Sequence, residues 1–101
     1  MIKLTDIRGQ RGLDEELFFL YDDTVETKTR FVSFMGKNSR FDLAILRTDR
    51  YYGKSLVLDI QSNRFAIIGQ DDLDEPGYLE HAYELSKEDA GELREFLYET
   101  I

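Results

Sequence analysis

Lys54-Ser55-Leu56-Val57-Leu58-Asp59-Ile60-Gln61-Ser62-Asn63-Arg64-Phe65-Ala66-Ile67-Ile68-Gly69 decides how the chain is read. Residues 54–61 have the period-two character of a strand, with Leu56, Leu58 and Ile60 expected inward and Asp59 and Gln61 outward. Ser62-Asn63 is short enough for a hairpin turn, and asparagine tolerates the positive φ that such turns use. Residues 64–69 then return as the next strand. Two antiparallel strands joined this tightly point to a meander, and the rest of the sequence extends it in both directions.

Upstream, residues 41–48 form a third apolar run behind the turn Gly36-Lys37-Asn38-Ser39. Residues 25–35 alternate again, Val25, Thr27, Thr29 and Phe31 against Glu26, Lys28 and Arg30. The parity then switches to Val32 and Phe34, the mark of a bulge or of a strand end buried on both sides. Leu17-Phe18-Phe19-Leu20-Tyr21 reads as a short aromatic strand closed by the turn Asp22-Asp23-Thr24. Downstream, residues 70–77 form an acidic loop around Pro76. Residues 78–85 suit helix or strand, and strand is the expectation, because a helix running to Leu85 leaves no residues for a turn before Ser86. Ser86, with Asp89 three residues on, reads as the N-cap of a final helix over 87–100, carrying Ala90, Leu93, Leu97 and Ile101 on one face. Gly91 weakens that helix by about 1 kcal/mol relative to alanine, so it must dock. The expected fold is α+β: an antiparallel meander of five or six strands, as a curved sheet or half-barrel, with one C-terminal helix.

The 101 residues make one domain, 1–101, with residues 1–12 as a candidate flexible N-terminal segment around Arg8-Gly9-Gln10-Arg11-Gly12. The net charge of -8 opposes non-specific binding to phosphates or anionic lipid, and the acidity is concentrated after residue 64. The chain has no cysteine, which removes disulfides, thiolate metal sites and cysteine nucleophiles and suits a reducing, cytoplasmic location. No run approaches the roughly 18 apolar residues of a membrane helix, and the first residues lack the apolar core of a signal peptide.

Catalytic groups are scarce. His81 is the sole histidine, and Ser33, Ser39, Ser55 and Ser62 sit in strands or turns with no base nearby in sequence. The glycines punctuate turns and make no phosphate-binding fingerprint, so no cofactor is expected. In a meander successive turns alternate ends, so Asp22, Asp23, Asp49, Asp71 and Asp72 should gather with Tyr51 and Tyr52 at one end. Asp74, Glu75 and Arg50 belong to the same pole, and Lys37, Arg40 and Arg64 to the other. The acidic pole is a candidate small-ligand or divalent-cation site, or simply a solvated end that keeps the sheet soluble. Tyr51 and Tyr52 between Arg47, Arg50 and Lys54 suggest stacked bases, but neighbouring acids and the lack of an RNA-binding motif disfavour nucleic acid.

Phe18-Phe19-Leu20-Tyr21-Asp22-Asp23-Thr24-Val25-Glu26-Thr27-Lys28-Thr29-Arg30-Phe31-Val32 and Arg64-Phe65-Ala66-Ile67-Ile68-Gly69-Gln70-Asp71-Asp72 carry a family resemblance over about residues 17–98. The chain resembles the small acidic cytosolic proteins of Bacillus-type Firmicutes that form a domain of unknown function. The resemblance implies a single-domain bacterial cytosolic protein and supplies no catalytic residues.

Both parities of strands 41–48 and 64–69 are apolar, and one helix covers one face. The other face, Ala44, Leu46, Ala66 and Ile68 or their opposites, must be consumed by closure into a half-barrel or buried against a partner. The expected function is therefore a non-enzymatic protein-interaction module, self-associating as a homodimer and open to other protein partners. The alternative is ligand or cation binding at the acidic pole, and an enzyme comes last.

Overall fold

A computed structural model describes residues 17–101, and the flexible segment expected at residues 1–12 lies outside the described residues. Four strands, β1 (Lys28–Met35), β2 (Arg40–Arg47), β3 (Ser55–Asp59) and β4 (Arg64–Ile68), pair antiparallel in chain order. Three helices follow: α1 (Gln70–Leu73), α2 (Tyr78–Tyr83) and α3 (Lys87–Thr100). The protein is an α+β domain, an open antiparallel sheet with its helices on one face.

Positive φ occurs where the chain must reverse. Tyr52 (φ 54°) and Gly53 (φ 86°) close the turn between β2 and β3, which begins as a short 3₁₀ turn at Asp49–Tyr51. Asn63 (φ 62°) closes the next connection, as its amide side chain suggests, although the turn spans residues 60–63 rather than two residues. The Ser86 hydroxyl accepts the N–H of Asp89, capping α3 where the sequence places its start.

Two expected strands are absent from the sheet of the described residues. Residues 17–21 have no strand partner. Residues 78–85 hold helix α2, not a strand: Glu84 adopts a left-handed conformation (φ 54°) and the N–H of Leu85 returns to the carbonyl of Glu80. One left-handed residue thus ends the helix and turns the chain within two positions, which the expectation of a longer turn did not allow for. The parity switch in β1 involves no bulge, since its register with β2 runs unbroken from Lys28 opposite Arg47 to Met35 opposite Arg40.

The core lies between the helices and one sheet face. Phe41, Leu43, Ile45, Val57 and Ile68 from the strands meet Leu73, Leu79, Tyr83, Ala90, Leu93 and Leu97. Phe34 stacks between Phe41 and Phe96, with ring centroids 5.0 and 4.7 Å away. Arg94 joins the three helices, donating from α3 to the carbonyl of Leu73 (3.2 Å) and to the carboxylate of Glu80 (3.3 Å). The β1–β2 turn is pinned to the start of α3, where Glu92 accepts the N–H of Lys37 and Asp89 accepts the hydroxyl of Ser39. A Cβ at Gly36 would meet the end of the Glu92 side chain and come within 3.2 Å of the Ser39 carbonyl, so glycine here eases the close approach of the turn to α3.

Candidate functional site

The register fixes which residues share the face that no described helix covers. Phe31, Ala44, Leu58 and Phe65 form one row across all four strands, and Thr29, Leu46, Leu56 and Ile67 form the next. Phe31 is 75% exposed and Phe65 65%, while Ala44, set between Phe31 and Leu58, is only 5% exposed. The phenyl rings project at the two ends of this row, with the small Ala44 and the half-buried Leu58 between them. Ile60 and Ile67 are also exposed.

The facing of β3 reverses the expectation. Its larger apolar side chains, Leu56 and Leu58, point to the open face, whereas Ser55, Val57 and Asp59 point beneath the helices and are buried. The Asp59 carboxylate accepts the N–H of Gln61, and the Val57 carbonyl accepts the hydroxyl of Tyr83 at 2.7 Å. Burial pushes the Tyr83 phenol far above its ordinary pKa, so it stays a donor.

The four residues assigned to the second face divide between the two faces. Ala44 and Leu46 lie on the open face. Ala66 packs against the core and Ile68 is fully buried in it, because Ile68 pairs with Ser55 and faces the helices. The open face takes Phe65 and Ile67 from β4 instead. Leu56 and Leu58 are therefore the site residues expected on the inner face, Phe65 and Ile67 enter as the opposites of Ala66 and Ile68, and Phe31 joins them as a residue the sequence does not single out. The signal that identifies them is the register carried through the hairpins.

At the end of the sheet holding the acidic turns, cations answer the carboxylates. Lys54 meets Asp72 at 3.0 Å and Asp71 at 3.7 Å, and Arg50 meets Asp23 at 3.5 Å while its guanidinium lies 4.8 Å from the Tyr21 ring centre. Burial works to raise the Asp72 pKa, but the N–H of Gly69 and the Lys54 ammonium outweigh it and hold the carboxyl below its usual range. Asp22 and Tyr52 are exposed, Tyr51 is half-buried, and Asp49 borders a cleft of about 530 Å³ with Lys28, Arg47 and Lys54. Arg47 is already engaged with the carbonyl of Thr100. Among the described residues no three carboxylate or imidazole groups are placed to hold a metal ion.

The other end is likewise neutralised, Arg40 by Asp42 (3.2 Å) and Arg64 by Glu84 (2.9 Å). Asp42 also accepts from Ser33, which is the largest influence lowering its pKa, and from Gln61. His81 stands exposed on α2 and makes no side-chain hydrogen bond among the described residues. The arrangement offers a broad apolar surface, with no nucleophile and base assembled beside it among the described residues. No helix among the described residues is long and apolar enough to cross a membrane.

No curated protein matches the chain. A family model described as SAV0927-like matches residues 20–99, well over half of the sequence, and takes in all four strands and, but for Thr100, the three helices. The chain belongs to the SAV0927-like family, a domain-of-unknown-function family.

Proposed function

We propose that the protein is a non-enzymatic interaction module that works as a homodimer, with the open face of the sheet as its self-association surface. The observation that supports this reading is the orientation of β3, whose leucines point away from the helices while a serine and an aspartate point under them. A sheet that worked alone in water would gain by the opposite facing, since each fully buried leucine contributes about 1.5–3 kcal/mol. The two projecting phenyl rings alone leave roughly 250 Å² in water, before the apolar residues between and beside them are added. A two-fold interface uses such a patch twice, and about 800 Å² from each copy is enough for a specific contact.

Cation binding at the acidic end is the weaker reading, since Lys54 and Arg50 already occupy Asp71, Asp72 and Asp23. A cytoplasmic location in a Bacillus-type Firmicute belongs to the same proposal, supported by a chain with no cysteine to oxidise. The test is Phe65→Asp, at a position exposed enough for the fold to survive. Light scattering at micromolar concentration should give a dimer for the wild type and a folded monomer for the variant. A variant that remains dimeric places the contact elsewhere.

A further inference from the structure

Residues 17–21 are the longest run of the described chain that is wholly apolar or aromatic and yet left in water. Phe18 is 93% exposed and Leu20 95%, and Leu17, Phe19 and Tyr21 are exposed too. The run carries no charge in a protein where 34% of residues are charged. It is nevertheless positioned. Tyr21 lies against the Arg50 guanidinium and Asp23 pairs with the same group, so the arm is anchored at the end of the sheet and its apolar residues lie beyond the anchor.

The open face is the counterpart of this arm in character. Its two central rows, from Phe31 to Phe65 and from Thr29 to Ile67, contain no charged side chain. We infer that the occupant of this face is a second copy of the chain, and that the part of that copy which covers it is the arm 17–21, exchanged reciprocally between the two subunits. This inference rests on the dimer reading above and names the element that forms the contact.

Length and chemistry both support the exchange. Five residues span up to about 17 Å when extended, and the outer strands of a four-stranded sheet lie about 14 Å apart, so the arm is long enough to cross the face. The low stretch of the row at Ala44, between Phe31 and Leu58, suits an aromatic side chain such as Phe18 or Phe19, with a ring-to-ring contact to Phe31 on one side and an apolar contact to Leu58 on the other. Asp22 and Asp23 follow the apolar run directly and set its limit, because carboxylates on the face would lose their hydration unpaired.

The absence of cysteine from the natural chain allows a direct test. Leu20→Cys is placed in one affinity-tagged copy and Ile67→Cys in an untagged one, and the two are refolded together and treated with a short bismaleimide. The expected product is a tagged–untagged pair. The double variant Phe18→Ser/Leu20→Ser, whose substituted side chains touch little in the subunit, should keep the wild-type far-UV spectrum and dimerise about tenfold or more weakly. If a single chain carrying both cysteines closes on itself at high dilution, and the mixed pair does not form, the arm lies on its own sheet and the exchange is overturned. A serine variant that dimerises as tightly as wild type overturns the arm alone and leaves the open face as the contact. A wild-type protein that stays monomeric removes both.

Discussion

Tyr83→Phe isolates one buried hydrogen bond between α2 and the sheet. The ring of Tyr83 is buried against the core, so the substitution keeps the packed phenyl group and removes only the hydroxyl that donates to the Val57 carbonyl at 2.7 Å. A net hydrogen bond contributes about 1 kcal/mol, and a buried partner left under-satisfied costs about 1–3 kcal/mol, so a loss near 2 kcal/mol is expected. In a domain of this size 1 kcal/mol moves the melting temperature by about 4–8 °C, which makes the shift about 8–16 °C. Urea denaturation followed by far-UV circular dichroism should give a lower midpoint with an unchanged slope. Tyr98→Phe is the control: its hydroxyl bonds Asp74 at the surface, and its loss should leave the midpoint within error. If the two variants behave alike, α2 is not fastened to β3 through Tyr83 and the placement of that helix is wrong.

Three further outcomes follow from named contacts. Val57→Ala, on the covered face, should destabilise the dilute subunit by about 2 kcal/mol from lost methyl burial plus the cavity left behind, and Leu58→Ala should cost less in the same melts while weakening association. Gly36→Ala should cost about 1–2 kcal/mol by crowding the Glu92 carboxylate, and a double-mutant cycle with Glu92→Ala should recover much of that loss. Asp72, held low by Gly69 and Lys54 despite burial, contributes stability that is complete above the ordinary carboxylate value near ~3.9 and is lost as pH falls through the lower folded value. Asp72→Asn should therefore flatten the acid limb of thermal melts below about pH 5, and an acid limb parallel to wild type would show that the Lys54 pairing is not formed.

Much of the fold is legible in the sequence because it depends on local chemistry. Ser86 followed by Asp89 marks the start of α3, Asn63 marks a reversal, and the alternation around Leu56–Ile60 marks β3. Facing was harder to read. Hydrophobic parity selects the larger apolar set of β3 as the inner one, but the helices cover the smaller set, and Ile68 falls beneath them because it pairs with Ser55. Parity identifies a buried face only when a strand has one apolar side, and here both sides are apolar. Residues 78–85 are ambiguous for a different reason. Leu79, Ala82 and Tyr83 suit a helix while Leu79, Tyr83 and Leu85 suit alternation, and the left-handed Glu84 that resolves the ambiguity has no side-chain signature. The grouping of turns at each end follows from meander topology, but the pairing of Lys54 and Arg50 with the acids depends on side-chain reach that spacing does not encode.

Sedimentation equilibrium of the wild-type chain over a micromolar concentration series tests the central claim most directly, since an apolar sheet face left open in the subunit is the basis of the functional reading. A mass of twice the 11.9 kDa of one chain, falling toward that single-chain value on dilution, is the predicted result. A single species at 11.9 kDa across the series would contradict it.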